Sequence, residues 1–119
     1  MTYKFENLEV WKLAIKFNSL VYEIADVLPE CEKFNLSSQM RRASTSIALN
    51  IAEGSTGQSN AEQARFLSYA IRSFIEVYAC YRLIENRQYL NNCNISIKEF
   101  EHIGAKIFGK LQAFQYSLK

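Results

Sequence analysis

The chain has one proline, four glycines and one histidine in 119 residues. So few punctuating residues exclude an all-β protein, which needs glycine and proline at most of its turns. They also exclude the glycine-rich phosphate loops, whose backbone must approach a ligand at several positions. Cysteine is scarce as well: Cys31, Cys80 and Cys93 are odd in number and far apart, with no C-x-x-C pair, and read as reduced structural thiols. No stretch approaches 18 uncharged apolar residues, so no membrane-spanning helix is expected. The opening MTYKFENLEVWK is broken by Glu6 and Glu9 and does not read as a signal peptide. A cytoplasmic address is the expectation by default. Finally, 14 Lys and Arg against 12 Asp and Glu give a net charge of +2, too little for bulk attraction to nucleic acid. Such a role would need the cations to cluster.

Apolar residues make up 49% of the chain and charged residues 22%, the balance of a folded protein. A single domain over residues 1–119 would bury roughly two-thirds of its unfolded surface. Helical periodicity organises it. Val10, Ala14, Phe17, Val21, Ile24 and Leu28 recur at steps of four and three, predicting a helix of about 21 residues, on the order of 30 Å, from a cap at Asn7 to just before Pro29. Leu36, Met40, Ala43, Ile47 and Ile51 mark a second helix, with Gly54 placed to end it in a left-handed conformation. Ser59 and Glu62 form the S-x-x-E signature of a capping box before Leu67, Ala70, Phe74, Val77, Tyr81 and Ile84. Ser96 and Glu99 repeat that signature, with Ile95 and Phe100 as a hydrophobic staple, before Ile103, Ile107, Leu111, Phe114 and Leu118. Short connections make neighbouring helices antiparallel, so the expected fold is all-α, an antiparallel up-down-up-down four-helix bundle.

Within the second helix Arg41 and Arg42 interrupt a run of small residues. Folding helices two and three about residue 57 brings Asn50 level with Gln63, and Arg42 within a turn of Glu76. The first expectation is an ion-paired joint in which Arg41 or Arg42 meets Glu76, with Arg72 competing for the same carboxylate; a nucleic-acid phosphate contact and a plain solvated face are the alternatives. Glu53 lies in the last helical turn, where a carboxylate opposes the helix dipole. It is expected to find a partner at the start of helix three or on another subunit.

The run LSSQMRRASTSIALNIAEG followed by SNAEQARFLSYAIRSFIE, together with FENLEVWKLA and VLPECEKFNL, resembles a bacterial four-helix-bundle family. That family is named for reading frames inside intervening sequences of 23S ribosomal RNA genes, and was earlier labelled a ribosomal protein. The resemblance covers nearly the whole chain, most specifically Gln39 through Gly54. It implies a protein without established enzymatic activity that forms homo-oligomers, commonly five-membered rings. A related accessory protein of diversity-generating retroelements works with RNA and a reverse transcriptase. That relative is strongly basic; the present chain is nearly balanced.

Residue chemistry gives no reaction. Glu99 and His102 form an E-x-x-H pair on one helical face, as di-iron bundles use, but those sites need two such motifs and two further glutamates. One histidine cannot complete the set, and no thiol or hydroxyl is tied to it for nucleophilic catalysis. No catalytic residue, metal site, cofactor or small-molecule substrate is therefore expected. Two kinds of surface remain. Lys12 and Lys16, Lys106 and Lys110, and Arg65 and Arg72 around Tyr69 are candidate nucleic-acid contacts, in which cations track a backbone and an aromatic ring stacks a base. Trp11, Ile15 and Tyr22, Phe66 and Tyr69, and the low surface of Ala105, Gly109 and Ala113 are a candidate oligomer interface. Symmetry would then multiply any modest basic patch. The two functional expectations are an oligomeric interaction protein that binds RNA or a ribonucleoprotein, and a purely structural scaffold for protein partners.

Overall fold

The computed structural model describes residues 1–57 and 59–119, and all its regular elements are helical. They are α1 Glu9–Asp26, α2 Leu36–Gly54, α3 Asn60–Asn86 and α4 Ile97–Ser117, with 3-10 turns at Lys4–Asn7 and Glu30–Glu32. α1 packs on α2 and α4, α3 packs on the same two, and across the diagonal α1 and α3 meet through side chains, Phe17 stacking on Phe74. This is the up-down-up-down four-helix bundle that the periodicity predicts, with a square cross-section. The apolar stripes meet along its axis, and Phe17, Val21, Ile24, Met40, Ala70, Val77, Ile84, Phe100, Ile107 and Leu111 are fully enclosed.

The helix ends depart from expectation in instructive ways. Asn7 does not cap α1; it closes the preceding 3-10 turn, whose entry is held by the Glu6 carboxylate accepting the Tyr3 amide at 2.7 Å. α1 therefore begins at Glu9 and runs 18 residues. Ser59 accepts the Glu62 amide at 3.0 Å and Ser96 accepts the Glu99 amide at 3.3 Å, so both serines cap as predicted. Among the described residues the return bonds from the glutamate side chains are not made, and each box is half closed. Gly54 is not left-handed. It is the last residue of α2, buried against α3, and the positive φ of 86° falls on Gly57.

Gly54 also sets the register of α2 on α3. A Cβ at Gly54 would stand 2.9 Å from the Cβ of Phe66, so the two backbones touch there. Further along, the Ser73 hydroxyl donates to the Ser46 hydroxyl at 2.9 Å. Residue 46 thus lies level with 73, and α3 overshoots the end of α2 by roughly 8 Å, about five residues of helical rise. Simple folding about the loop missed this offset because it took the two helix ends to be level.

One end of the bundle is held by a contact that spans 57 positions of sequence. Glu32, only 7% exposed, accepts from the Tyr89 hydroxyl at 2.7 Å and from the Asn35 side-chain amide at 2.9 Å. The Tyr89 bond, and after it the Asn35 bond, hold the Glu32 carboxyl below the usual carboxylate range. The same contact pushes the Tyr89 phenol up to about 12. A depressed folded-state pKa contributes stability that is complete above the unfolded value of about 4.3 and is lost as pH falls through the folded one. Below about pH 5 the melting temperature of the wild type should therefore fall more steeply than that of Glu32→Gln, whose side chain still accepts from Tyr89. Parallel acid limbs for the two proteins would show that Glu32 does not contribute to the acid transition.

Candidate functional site: the four faces of the bundle

A square bundle has four outer faces, each bounded by two neighbouring helices, and the candidate residues divide among them. On the α1/α2 face, the Asn18 amide donates to Ser44 at 3.1 Å, and Arg41 reaches Asp26 at 3.4 Å while its guanidinium lies over the Tyr22 ring at 5.8 Å. Trp11, Ile15 and Tyr22 share this strip at helical spacing. Ile15 is 48% exposed, Tyr22 41% and Leu49 of α2 53%. An open groove of about 500 Å³ follows the outer side of α2, lined by Tyr22, Arg41, Arg42, Thr45, Leu49 and Glu53.

The expected joint with Glu76 does not form. The ion pairs among the described residues are Arg41–Asp26, Arg82–Glu85 and Lys110–Glu9, and none includes Arg42, Arg72, Glu53 or Glu76. Arg41 lies on the α1 side of α2, where a carboxylate and an aromatic ring are both in reach. Arg42 and Glu76 are exposed, and an exposed pair gains too little to fix two long side chains. The Glu53 carboxylate is also exposed and takes no amide from α3; its backbone carbonyl instead accepts from the Thr56 hydroxyl at 2.9 Å.

The opposite α3/α4 face is the second apolar one. Phe74, Ile75, Tyr78, Ala105 and Phe108 line a shallow cleft of about 290 Å³, and Ile75 is 53% exposed. Above them Arg82 stacks over Tyr78 and Tyr81, at 5.4 and 5.5 Å, and bonds Glu85 at 2.6 Å. Gly104 serves close packing inside the fold, its Cβ position being 3.2 Å from Phe17 and 3.3 Å from Tyr78. Gly109 does not: nothing lies within 4 Å of where a Cβ would stand.

The remaining two faces carry the cations. Lys110 pairs with Glu9 at 3.6 Å across α1/α4. Lys12 and Lys16 continue the Glu9 stripe and Lys106 the Lys110 stripe, so these four lysines share one face, all exposed. Ala113 lines a cleft on this side with Leu8, Glu9, Val10, Lys110 and Phe114. Across the bundle, on the α2/α3 side, Arg65 leans over Phe66 at 5.7 Å, and Tyr69 meets the edge of the same ring at 5.9 Å. Arg72 is exposed beyond them. The structure thus gathers the lysines and separates them from the arginines. It also spreads the candidate interface residues over several faces: Trp11, Ile15 and Tyr22 stay together, Phe66 and Tyr69 lie elsewhere, and Ala105 and Ala113 fall on two sides of α4.

Residue patterns gave no notice of Leu49, Ile75, Tyr78, Phe108, Asp26, Arg82 or the Glu32–Tyr89 contact. Leu49 and Ile75 carried a usable signal, because each is a large apolar residue standing off the core stripe of its helix. His102 is exposed on α4, Glu99 sits at the α4 cap, and among the described residues no three His, Cys, Asp or Glu side chains gather to hold a metal ion. Burial pushes the Cys80 thiol up, away from nucleophilic use, and none of the three cysteines forms a disulfide. No helix among the described residues is long and apolar enough to cross a membrane.

The family model for 23S rRNA-intervening sequence protein matches residues 6–109, from the turn before α1 into α4. No curated protein matches the chain.

Proposed function

We propose that this chain, which belongs to the 23S rRNA-intervening sequence protein family, is a non-catalytic interaction protein that associates head to tail with its own copies and offers its lysine face to RNA or a ribonucleoprotein. The observation that carries this reading is the opposition of the two apolar faces. One displays Ile15, Tyr22 and Leu49, and the other Ile75, Tyr78 and Phe108. Exposed apolar groups on two different sides of one molecule suit a heterologous contact, in which each copy uses one face towards each neighbour. Closed on itself, such a contact gives a ring, and a ring of five is what the sequence resemblance implies. Lys12, Lys16, Lys106 and Lys110 lie on neither apolar face, so assembly leaves them uncovered and repeats them around the ring. The absence of a reaction in this reading rests on His102, which stands exposed and lines none of the clefts described above.

A second reading has an observation in its favour. Lys110 is already paired with Glu9, and the net charge is only +2. That balance suits a scaffold for protein partners with no affinity for nucleic acid. Two measurements separate the readings. Light scattering should give about five times the 13.8 kDa of one chain; a monomer at micromolar concentration would overturn the assembly. Fluorescence anisotropy with a labelled structured RNA should show binding that weakens steeply with salt yet persists at physiological ionic strength. Lys12→Ala with Lys106→Ala should reduce the salt slope by about two, one for each phosphate contact removed. No binding at low salt would leave the scaffold.

A further inference from the structure

We infer that the lysine face is a site for double-stranded RNA, held by its backbone phosphates alone and lying across the bundle rather than along it. This rests on the RNA reading proposed above and names the form of the RNA and its path.

Contacts between α1 and α4 fix the layout of the site. The Phe17 ring lies 3.2 Å from the Cβ position of Gly104, and Lys110 pairs with Glu9 at 3.6 Å. The two helices are antiparallel, so a step forward along α1 is matched by a step back along α4. With Phe17 level with Gly104, Lys106 comes between Lys12 and Lys16, and Lys110 comes just below Lys12. All four lysines then fall within about 8 Å of rise, on two helices whose axes stand roughly 8–10 Å apart. Four exposed like charges in so small an area repel one another in the free protein. Such a patch suits a polyanion. Carboxylates stand at its two ends. Glu9 lies just below Lys110, while Glu23 follows Lys16 by two turns and Glu99 precedes Lys106 by two turns. Glu23 and Glu99 are therefore nearly level with each other, roughly 10 Å of rise above Lys16.

These brackets set the path. RNA laid along the groove would carry its phosphates from the lysines onto Glu9 at one end, and onto Glu23 and Glu99 at the other. RNA laid across it meets only the lysines, because the flanks at that height are neutral: Ile15 on one side, Ala105 and Gly109 on the other. The chemistry of the patch sets the form. A single strand is held largely by stacking its bases on aromatic rings. The most exposed rings all lie elsewhere: Tyr22 towards α2, Tyr69 across the bundle, Tyr3 and Phe34 outside the four helices, and Tyr116 beyond the Glu9 end. Each lysine is a point charge suited to a phosphate oxygen, without the planar fork by which arginine reads guanine. Duplex RNA is recognised by its shape and backbone, which asks for no more than this. The Glu9–Lys110 pair is exposed and weakly held, so a phosphate readily replaces the carboxylate.

The experiment is fluorescence anisotropy over a range of salt with four probes: a short labelled duplex RNA, each of its strands alone, and a second duplex of unrelated sequence. Circular dichroism shows that each variant is folded. The duplex should bind roughly sixfold more tightly than either strand at about 0.1 M salt. That factor follows from four contacts, each with a salt slope of about 0.9 for a duplex and about 0.7 for a strand, over the decade below about 1 M. The two duplexes should bind within about twofold of each other, since phosphates carry no sequence. Glu9→Gln, which releases Lys110, should tighten duplex binding about two- to threefold. Glu23→Lys should leave the salt slope unchanged, because RNA lying across the bundle does not reach residue 23. A strand that binds more tightly than the duplex, or a strong preference between the two duplexes, overturns the phosphate-only duplex site while RNA binding stands. A slope that rises by about one in Glu23→Lys overturns the crosswise path. Binding of no RNA even at low salt, or binding unaltered by Lys12→Ala with Lys106→Ala, overturns this inference and the lysine-face reading together.

Discussion

Phe17→Ala should lower the stability of this protein by about 3–5 kcal/mol, the range for an aromatic ring removed from a closed core. Phe17 has 0% exposure and is the point where three helices meet. Its ring stacks on Phe74 of α3 at 5.5 Å and on Phe100 of α4 at 5.2 Å. Its edge lies 3.2 Å from the Cβ position of Gly104, a residue that leaves room for it. Truncation would open a cavity that none of the three helices can close alone, since each is held by its neighbours elsewhere. The whole domain is expected to be stable by on the order of 6–18 kcal/mol, so the loss is a large fraction of it. Urea unfolding should show the midpoint displaced with an unchanged slope, the mark of lost stability without a change in surface exposed. Phe17→Leu, which keeps much of the volume, should lose less than half as much. Equal losses for leucine and alanine would mean that stacking, and not cavity formation, dominates at this site. A loss below about 1 kcal/mol for alanine would mean that the core at Phe17 is not closely packed.

The four helices were legible because burial imposes a repeating pattern on sequence. Val10 to Ile24, Leu36 to Ile51, Leu67 to Ile84 and Phe100 to Leu111 each keep steps of three and four, and each stripe is buried. Serine caps were legible for a similar local reason: Ser59 and Ser96 need only the amide three residues on. Facts that depend on how one helix sits against another were not legible. The offset of α3 on α2 follows from Gly54 meeting Phe66, and no count of loop residues contains it. Arg41 could have faced α1 or α3, and Asp26 with Tyr22 decided for α1. Glu32 and Tyr89 sit in two loops, with no periodicity to announce a partner 57 positions away.

The candidate surface was legible in kind and not in arrangement. The lysine pairs stood out by spacing on their own helices, but that Lys12 and Lys16 share a face with Lys106 and Lys110 follows from α1 packing on α4. The small residues of α4 suggested a low surface for a neighbour. Gly104 spends that room inside the bundle on Phe17 and Tyr78, while Gly109 leaves it open. Exposed apolar residues off the core stripe, Leu49 and Ile75, were the available sign of the two faces.

Gly54→Ala should lower stability by about 1–3 kcal/mol, opposite in sign to helix propensity, which favours alanine over glycine by about 1 kcal/mol. Gly54 is helical and buried, and an added Cβ would meet the Phe66 Cβ at 2.9 Å, with the Gln63 carbonyl oxygen at 3.6 Å. A Cβ is fixed to its backbone and no rotamer moves it. Relief therefore requires α2 and α3 to separate along a stretch that includes the Ser46–Ser73 bond, and the packing of Ile51 and Leu67 would loosen with it. Two other glycines separate this cause from general effects. Gly109→Ala, in an exposed helix interior with nothing within 4 Å, should gain up to about 1 kcal/mol in the monomer. Gly57→Ala, where φ is 86° and space is open, should lose about 1–2 kcal/mol through backbone conformation alone. Thermal melting of the three variants side by side reads all of this. If Gly54→Ala melts with or above the wild type, α2 and α3 are held less closely than their backbones indicate, and the offset between them has another cause.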